Sequence, residues 1–416
     1  MAISADRELG VTPSSVVSSD AALVLMMTLL GMTLALDRFV PFHVGGEITV
    51  TFLLGTALGT LGFWLGVTEP VLRRFLAWIA VFFFVAVVSV VANGRTATLA
   101  GSGGALVWLL LMPGVASLCL ERRRFRGLLI GLVLGAAVLL AVVVWRFARG
   151  ARILDAGYLQ LLGLNRNAVD MSIVWLIPPV LWSRTLGIPR LGRALFVAAA
   201  TLWLVSSEGR TGLLALLMVP FVFLLVKPSS ALSRATKIAL VATLGALLYL
   251  ALTSIAIPGL PATQRLAQYD SVERTESDQI RLLLNEKSLA LAGKHPVTGV
   301  GWGLYEGQYD PVVDKGSSAH VRQTVLRAPA HNTYYEVLAT TGLPGFLLYF
   351  GALLVPLIAG IRTSWDPDVR ALTAGYVIVL FSIGFHSSFG SLVALPVALL
   401  LAAVARAVRS VPPAEA

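Results

Sequence analysis

Charged side chains are scarce in this chain. Only 13% of its 416 residues are Asp, Glu, Lys or Arg, about half the share found in a soluble domain. With 57% apolar residues and a mean hydropathy of +0.82, that scarcity excludes both a soluble globular enzyme and a disordered chain. There is one cysteine, Cys119, so no disulfide can form within the chain and a disulfide-stapled secreted module is excluded. No Walker A run occurs, which argues against an ATP-driven pump. Residues 1–20 have no apolar core of their own. They are expected to form a cytoplasmic segment rather than a cleaved signal peptide, with the next apolar block kept as an anchor.

Long apolar runs are what the chain has in abundance. They fall near 21–36, 47–67, 71–92, 100–120, 127–147, 168–183, 193–206, 211–226, 237–257, 343–361, 371–388 and 389–408. A helix needs about 20 residues to cross the hydrocarbon core, so most of these qualify and the rest are short. The expected fold is all-α, a polytopic helical membrane protein of about twelve transmembrane helices. Nine of them would lie in 21–257 and three in 331–408, with a long external loop at 258–330 and a cytoplasmic tail at 409–416. The last two blocks are separated only by His386-Ser387-Ser388-Phe389-Gly390. They form either a tight hairpin or one broken helix.

The basic surplus, 32 Lys and Arg against 22 Asp and Glu, would suggest a nucleic-acid partner in a soluble protein. Here orientation explains it, and no nucleic acid is expected. With the N-terminus inside, the inside loops collect Arg73, Arg74, Arg122, Arg123, Arg124 and Arg126 early in the chain. Further along they collect Arg184, Arg190, Arg193, Lys227, Arg234, Lys237, Arg362 and Arg370. The outside loops hold fewer: Arg38, Arg95, Arg146, Arg149, Arg152, Arg166 and Arg210. That bias predicts both termini in the cytoplasm.

The segment 258–330 is polar and too long for a passive connection. A helix is expected over 277–291, capped by Ser277 or Thr275 and stopped by His295-Pro296. Ile280, Leu283, Leu284 and Leu291 would lie on one face, and Arg281, Asn285 and Ser288 on the other. The whole loop is expected to be an ordered lid over an external site, with its middle, 308–327, mobile.

Chemistry-bearing residues concentrate at the end of this loop. The run Ala330-His331-Asn332-Thr333-Tyr334-Tyr335-Glu336 puts a histidine where the polar loop meets a membrane helix. Histidine titrates near neutrality and can take a proton from an attacking hydroxyl. Asn332, Tyr334, Tyr335 and Glu336 can orient a polar ligand; the plainer alternative is a capped helix start with interfacial tyrosines. Arg210 opens a span in Ser207-Glu208-Gly209-Arg210-Thr211-Gly212, and Arg281 sits on the lid helix. A planar guanidinium binds phosphate oxygens through paired hydrogen bonds, so two of them suit a diphosphate. A salt bridge of Arg210 to Glu208 and a solvated helix face for Arg281 are the plainer alternatives.

Three further runs carry weaker signals. Amides of the turn Gly299-Val300-Gly301-Trp302-Gly303, just after His295-Pro296, can cradle an anion. The run Gly163-Leu164-Asn165-Arg166-Asn167-Ala168 suits a cavity rim. Asp366-Pro367-Asp368 has the carboxylate spacing of a divalent-metal site but also suits a helix cap, and no metal site is expected from it.

Taken together, these motifs resemble the O-antigen ligase and polymerase superfamily. The resemblance rests on His331 to Glu336 followed by Gly342-Leu343-Pro344-Gly345, on Arg281 to Trp302, and on Gly209-Arg210-Thr211-Gly212. It covers roughly 165–348. It implies a bacterial inner-membrane enzyme, metal-independent and without a cofactor, that inverts the anomeric carbon. Its donor would be a glycan on undecaprenyl diphosphate and its acceptor a hydroxyl, of lipid A-core type, at the periplasmic face. His331 would be the general base, and Arg210 and Arg281 would bind the leaving diphosphate. Asn332, Tyr335, Glu336, Asn167 and His295 would support the site. One departure from many relatives is the Glu208-Gly209 pair before Arg210, where serine directly precedes the arginine. Nothing in the motifs separates a ligase from a polymerase that joins lipid-linked repeat units by the same chemistry. A lipid-linked glycan flippase, a secondary transporter or a non-catalytic scaffold are the rivals from other classes.

Overall fold

The computed structural model describes residues 13–36, 43–45, 48–94, 99–148, 166–206, 210–226, 276–315, 318–385 and 391–410. The regular elements among the described residues are helices except for one two-stranded antiparallel ribbon, β1 (His43–Gly45) with β2 (Ile48–Thr49). The helices are α1 (Pro13–Leu36), α2 (Val50–Leu65), α3 (Pro70–Ala92), α4 (Leu99–Leu118), α5 (Arg122–Ala148), α6 (Arg166–Val174) and α7 (Ile177–Trp182). They continue with α8 (Arg190–Ser206), α9 (Arg210–Val226), α10 (Glu276–Lys294), α11 (Ala319–Arg327), α12 (Thr333–Arg362), α13 (Pro367–Ser382) and α14 (Ser391–Arg409).

Local chemistry sets several of the boundaries. Thr49 caps α2 by accepting the Phe52 N–H at 3.2 Å. Asp366 caps α13, accepting the Asp368 and Val369 N–H groups at 2.8 and 3.0 Å, and Pro367 follows at the first helical position, where a missing N–H costs nothing. The apolar block at 168–183 is two short helices, because Pro178 and Pro179 supply no amides to continue α6. Helices α13 and α14 pack side by side, so the last pair of blocks is a hairpin. The block at 237–257 lies outside the described residues.

Four described helices are long and apolar enough to cross a membrane: Pro70–Ala92, Arg122–Val142, Thr333–Arg362 and Pro367–Phe385. Their surroundings invert the pattern of a soluble protein. Trp64 is 83% exposed and Phe84 67%, while Ser89, Thr333, Thr340 and Thr373 are buried. Apolar side chains outward and hydroxyls inward suit a hydrocarbon solvent, where polar groups need partners inside the bundle. The tightest pair is α1 with α5. Gly127, Gly131 and Gly135 on α5 let the backbones touch, and a methyl group at Gly131 would overlap the Thr28 carbonyl.

The two ends of the bundle differ in chemistry. At one end, the last turn of α3 meets the start of α12 and the lid through Ser89 and Asn93. At the other end, Arg409 pairs with Glu69 just before α3, Arg406 lies over the Phe125 ring at 4.6 Å, and Asp368 binds the turn at Ser183. Arg122 to Arg126, Arg184 and Arg370 therefore lie at the end away from the lid.

The lid folds on a small core of its own. Leu284, Leu291, Val300, Tyr305, Val313, Val321, Val325 and Ala330 form one buried cluster. The stretch 308–327, expected to be mobile, contains a 3-10 turn at Pro311–Lys315 and α11, which is capped by Ser318 accepting the Val321 N–H at 3.1 Å. The faces of α10 also differ from expectation. Leu284, Lys287, Ser288, Leu291 and Ala292 are the buried ones, so Ser288 faces inward rather than sharing an outer face with Arg281.

Candidate active site

The site is built where helix α12 breaks. Pro344 has no N–H, so the Thr340 carbonyl loses its helical donor. Gly342 takes φ 68° and ψ −174°, a left-handed region suited to glycine. The Leu343 N–H then turns to the Pro296 carbonyl of the lid at 2.8 Å. The carbonyls of Ala339 and Thr340 accept the Val300 and Gly301 N–H groups, both at 2.9 Å. Lid and helix are thus joined by main-chain hydrogen bonds. From α3, the Ser89 hydroxyl donates to the Thr340 carbonyl at 2.8 Å and also reaches the Thr298 carbonyl. The Asn93 amide donates to the Gly299 carbonyl at 3.2 Å. Trp302 closes the seam with its ring edge-on to Phe82, centroids 5.5 Å apart.

This join corrects the anion-cradle reading of the glycine turn, since the Val300 and Gly301 amides are committed to helix carbonyls. It also explains why Gly299 must be glycine. Its φ is +62°, and a Cβ there would overlap the Thr340 carbonyl group.

Eleven residues before the break at Gly342, just ahead of α12, the chain presents His331. Among the described residues it is the one non-glycine with a left-handed backbone, φ 54°, a conformation that costs an L-residue about 1–2 kcal/mol. Two clamps on either side hold it. On the helix side, Asn332 Oδ1 accepts the Tyr334 and Tyr335 N–H groups at 3.0 and 3.3 Å. On the loop side, Glu336 Oε2 accepts the Ala330 N–H at 3.2 Å. Tyr334 anchors the same turn to α13, donating its hydroxyl to the Leu380 carbonyl at 2.6 Å and stacking on Phe350 with centroids 4.5 Å apart. Asn332 and Glu336 therefore bind backbone of their own segment, and Tyr335 is half-buried beside them.

The His331 imidazole is half-buried and its pKa lies below the ordinary histidine range. Burial is the main cause and the positive charge of Arg281 the second. Arg281 on α10 is thus brought into electrostatic reach of His331, although fifty residues of chain separate them. Together the two offer a neutral imidazole that can accept a proton and a fixed cation beside it.

The other expected residues are placed as follows. Arg210 is the first residue of α9 and Asn167 lies in the first turn of α6; their side chains, like Glu208 and Lys227 to Thr275, lie outside the described residues. His295 is exposed at the end of α10, where its carbonyl accepts the Gly299 N–H at 2.9 Å. The Asp366 and Asp368 carboxylates are both engaged: Asp366 caps α13, and Asp368 accepts Ser183 Oγ at 2.6 Å, the Arg184 and Thr185 N–H groups at 2.8 and 3.1 Å, and the Thr185 hydroxyl. That pair is a structural knot at the end away from His331, and the metal-site spacing is coincidental. Among the described residues, no group of three metal-ligating side chains occurs.

One residue of this region had drawn no attention in the sequence. Lys287 is fully buried in the lid core, donating to the Tyr305 and Val325 carbonyls at 3.4 and 3.2 Å and lying 4.4 Å from the Tyr305 ring centre. Burial pushes its pKa down to about 8, opposed by Glu306, Asp310 and Glu336. The signal for it was the spacing 284, 287, 288, 291, a helical face that apolar counting alone misses.

Comparison with known proteins now adds to the geometry. A family model described as O-antigen ligase matches residues 194–350. This match supports membership of the O-antigen ligase superfamily. No curated protein matches the chain. The O-antigen ligase match runs from α8 through the lid and past the break into the second half of α12, and so contains Arg210, Arg281, the Gly299 turn and His331. The helices α1 to α7 and α13 to α14 stand outside it.

Proposed function

We propose that this protein is a membrane glycosyltransferase that moves a glycan from undecaprenyl diphosphate to an acceptor hydroxyl, of lipid A-core type, at the outer face of a bacterial inner membrane. The observation that carries the reading is His331, held in a strained backbone by two clamps beside Arg281, inside the O-antigen ligase match. In the reaction, an acceptor oxygen attacks the anomeric carbon and passes its proton to the His331 imidazole. The bond from that carbon to the diphosphate oxygen breaks with inversion, and undecaprenyl diphosphate leaves. Arg281 and Arg210 stabilise the charge that develops on it. About twelve spans with both termini cytoplasmic would put His331 outside. The arginines at the end of the bundle away from the lid agree with that orientation.

The deciding experiment is transfer by purified protein from a synthetic undecaprenyl diphosphate oligosaccharide, with and without lipid A-core acceptor. Glycan on the lipid A-core is the expected product. A ladder of longer lipid-linked chains with donor alone would instead make the enzyme a polymerase, and no product in either arm would favour transport.

The depressed pKa of His331 has a direct kinetic consequence. A base with a pKa below about 6.5 is already neutral at pH 7, so the acid limb of kcat/KM should lie below pH 6.5. Removing the neighbouring cation in Arg281→Ala should move that limb upward, toward the ordinary histidine value, and weaken donor use. Arg322→Ala, an exposed arginine on α11, should do neither. Limbs that coincide in all three proteins would separate Arg281 from the base.

Because the mechanism assigns no step to a metal, transfer should survive a chelator at full rate. Loss of activity restored by manganese would show that a cation takes part.

A further inference from the structure

At the end of the bundle away from the lid, a cavity of about 760 Å³ opens between α1 and α5. Its mouth is charged, formed by Arg123, Arg124, Arg126 and Glu121 with Asp20 opposite. Arg124 is already committed, pairing with Asp20 at 2.8 Å. Arg123 and Arg126 are exposed and outnumber Glu121, which leaves the mouth positive. Behind the mouth the wall is apolar. Ala21, Val24 and Thr28 lie at helical spacing on α1, opposite Gly127 and Ile130 on α5. The Thr28 hydroxyl donates to the Val24 carbonyl at 2.8 Å, so it does not need a partner in the cavity. On the same two helices Leu25, Leu29, Leu134 and Val138 are exposed.

We propose that this groove binds one anionic phospholipid of the leaflet away from the lid. The phosphate sits between Arg123 and Arg126, and the upper acyl chain lies along Val24, Thr28 and Ile130. Basic pockets between membrane helices recognise such headgroups because charge attraction and apolar burial act together there. The volume far exceeds that of a free phosphate, and the apolar wall gives a free phosphate nothing to bind. The site lies outside the O-antigen ligase match and away from His331. The proposal rests on the membrane reading of α5 and not on the transferase reading.

The test is native mass spectrometry of the full-length protein in neutral detergent, titrated with dioleoyl phosphatidylglycerol or with phosphatidylcholine of the same chains. One phosphatidylglycerol should be retained in preference to phosphatidylcholine, and inorganic phosphate should not displace it. One basic side chain near an anionic headgroup contributes about a five-fold factor, so Arg123→Gln/Arg126→Gln should weaken phosphatidylglycerol about thirty-fold. Val24→Trp, which fills the wall, should weaken it with the arginines intact. The control Arg73→Gln/Arg74→Gln makes the same change of charge at the start of α3 and should bind as wild type. Equal retention of the two lipids would reduce the groove to a bare apolar surface. Displacement by phosphate would make it an anion site only. Unchanged binding in the Arg123/Arg126 variant, or equal loss in the control, would place the lipid elsewhere.

Discussion

His331→Asn is expected to lose transfer by about two to four orders of magnitude, the usual range for removing a general base, while its thermal unfolding in detergent stays as wild type. Asparagine is the informative choice because the position has φ 54°. Asn enters the left-handed region more readily than other L-residues, so the backbone that His331 already adopts is kept and chemistry is not confused with folding. The clamp hydrogen bonds run from Asn332 and Glu336 to backbone amides on either side and not to the imidazole, so they survive the substitution and the turn keeps its shape. What changes is the ability to accept a proton. Transfer by His331→Asn within a few-fold of wild type would remove His331 from the mechanism and return the transporter and scaffold readings to consideration.

The second large effect is expected at Gly299. An alanine there must adopt φ +62° and drive its methyl group into the Thr340 carbonyl, a clash of side chain with backbone that no rotamer can relieve. Left-handed strain of about 1–2 kcal/mol adds to the loss of the two hydrogen bonds from Val300 and Gly301, about 1 kcal/mol each. The sum, about 3–4 kcal/mol, is enough to free the lid from α12. Gly299→Ala should therefore lower the unfolding temperature, expose 276–330 to protease and abolish transfer without touching His331. Gly307→Ala is the matched control: its φ is +77°, but nothing lies within 4 Å of the added methyl, so it should show the conformational strain alone. Equal, mild effects at both positions would mean that the join between lid and helix is not what holds the lid.

Much of the helical body was legible in the sequence because its cause is local. A run of apolar residues near membrane length is a helix in almost any membrane context, and α2, α3, α4 and α5 lie close to the runs that predicted them. The lid helix was also visible, through Ser277, the apolar spacing from Ile280 to Leu291, and Pro296. What the sequence did not reveal depends on groups far apart in the chain. The buried face of α10 includes Lys287 and Ser288, whose partners Tyr305 and Val325 lie beyond the helix. The turn Gly299 to Gly303 offered amides that suited an anion, but their acceptors at Ala339 and Thr340 appear only once Pro344 has broken α12. The pair Asp366 and Asp368 suited a helix cap in the sequence, and Asp366 is one, but the donors to Asp368 at Ser183 to Thr185 come from a distant turn. His331 could be picked out by its position before a helix, yet its left-handed backbone and its proximity to Arg281 are properties of the assembled site.

The join at Pro296 to Gly301 has a mechanical meaning as well. Helix α10 enters it through its C-terminal end, whereas Arg281 lies thirteen residues nearer the N-terminal end of a 19-residue rod, about 20 Å from the fastening. His331 lies just ahead of α12, on a turn that Tyr334 ties to the membrane body through the Leu380 carbonyl. Rocking the lid about the fastening by about 3° would shift α10 at Arg281 by about 1 Å and leave the imidazole where it is. The spacing between cation and base is therefore sensitive to lid motion. Whatever presses on the outer face of the lid acts, through that lever, on the electrostatics of His331.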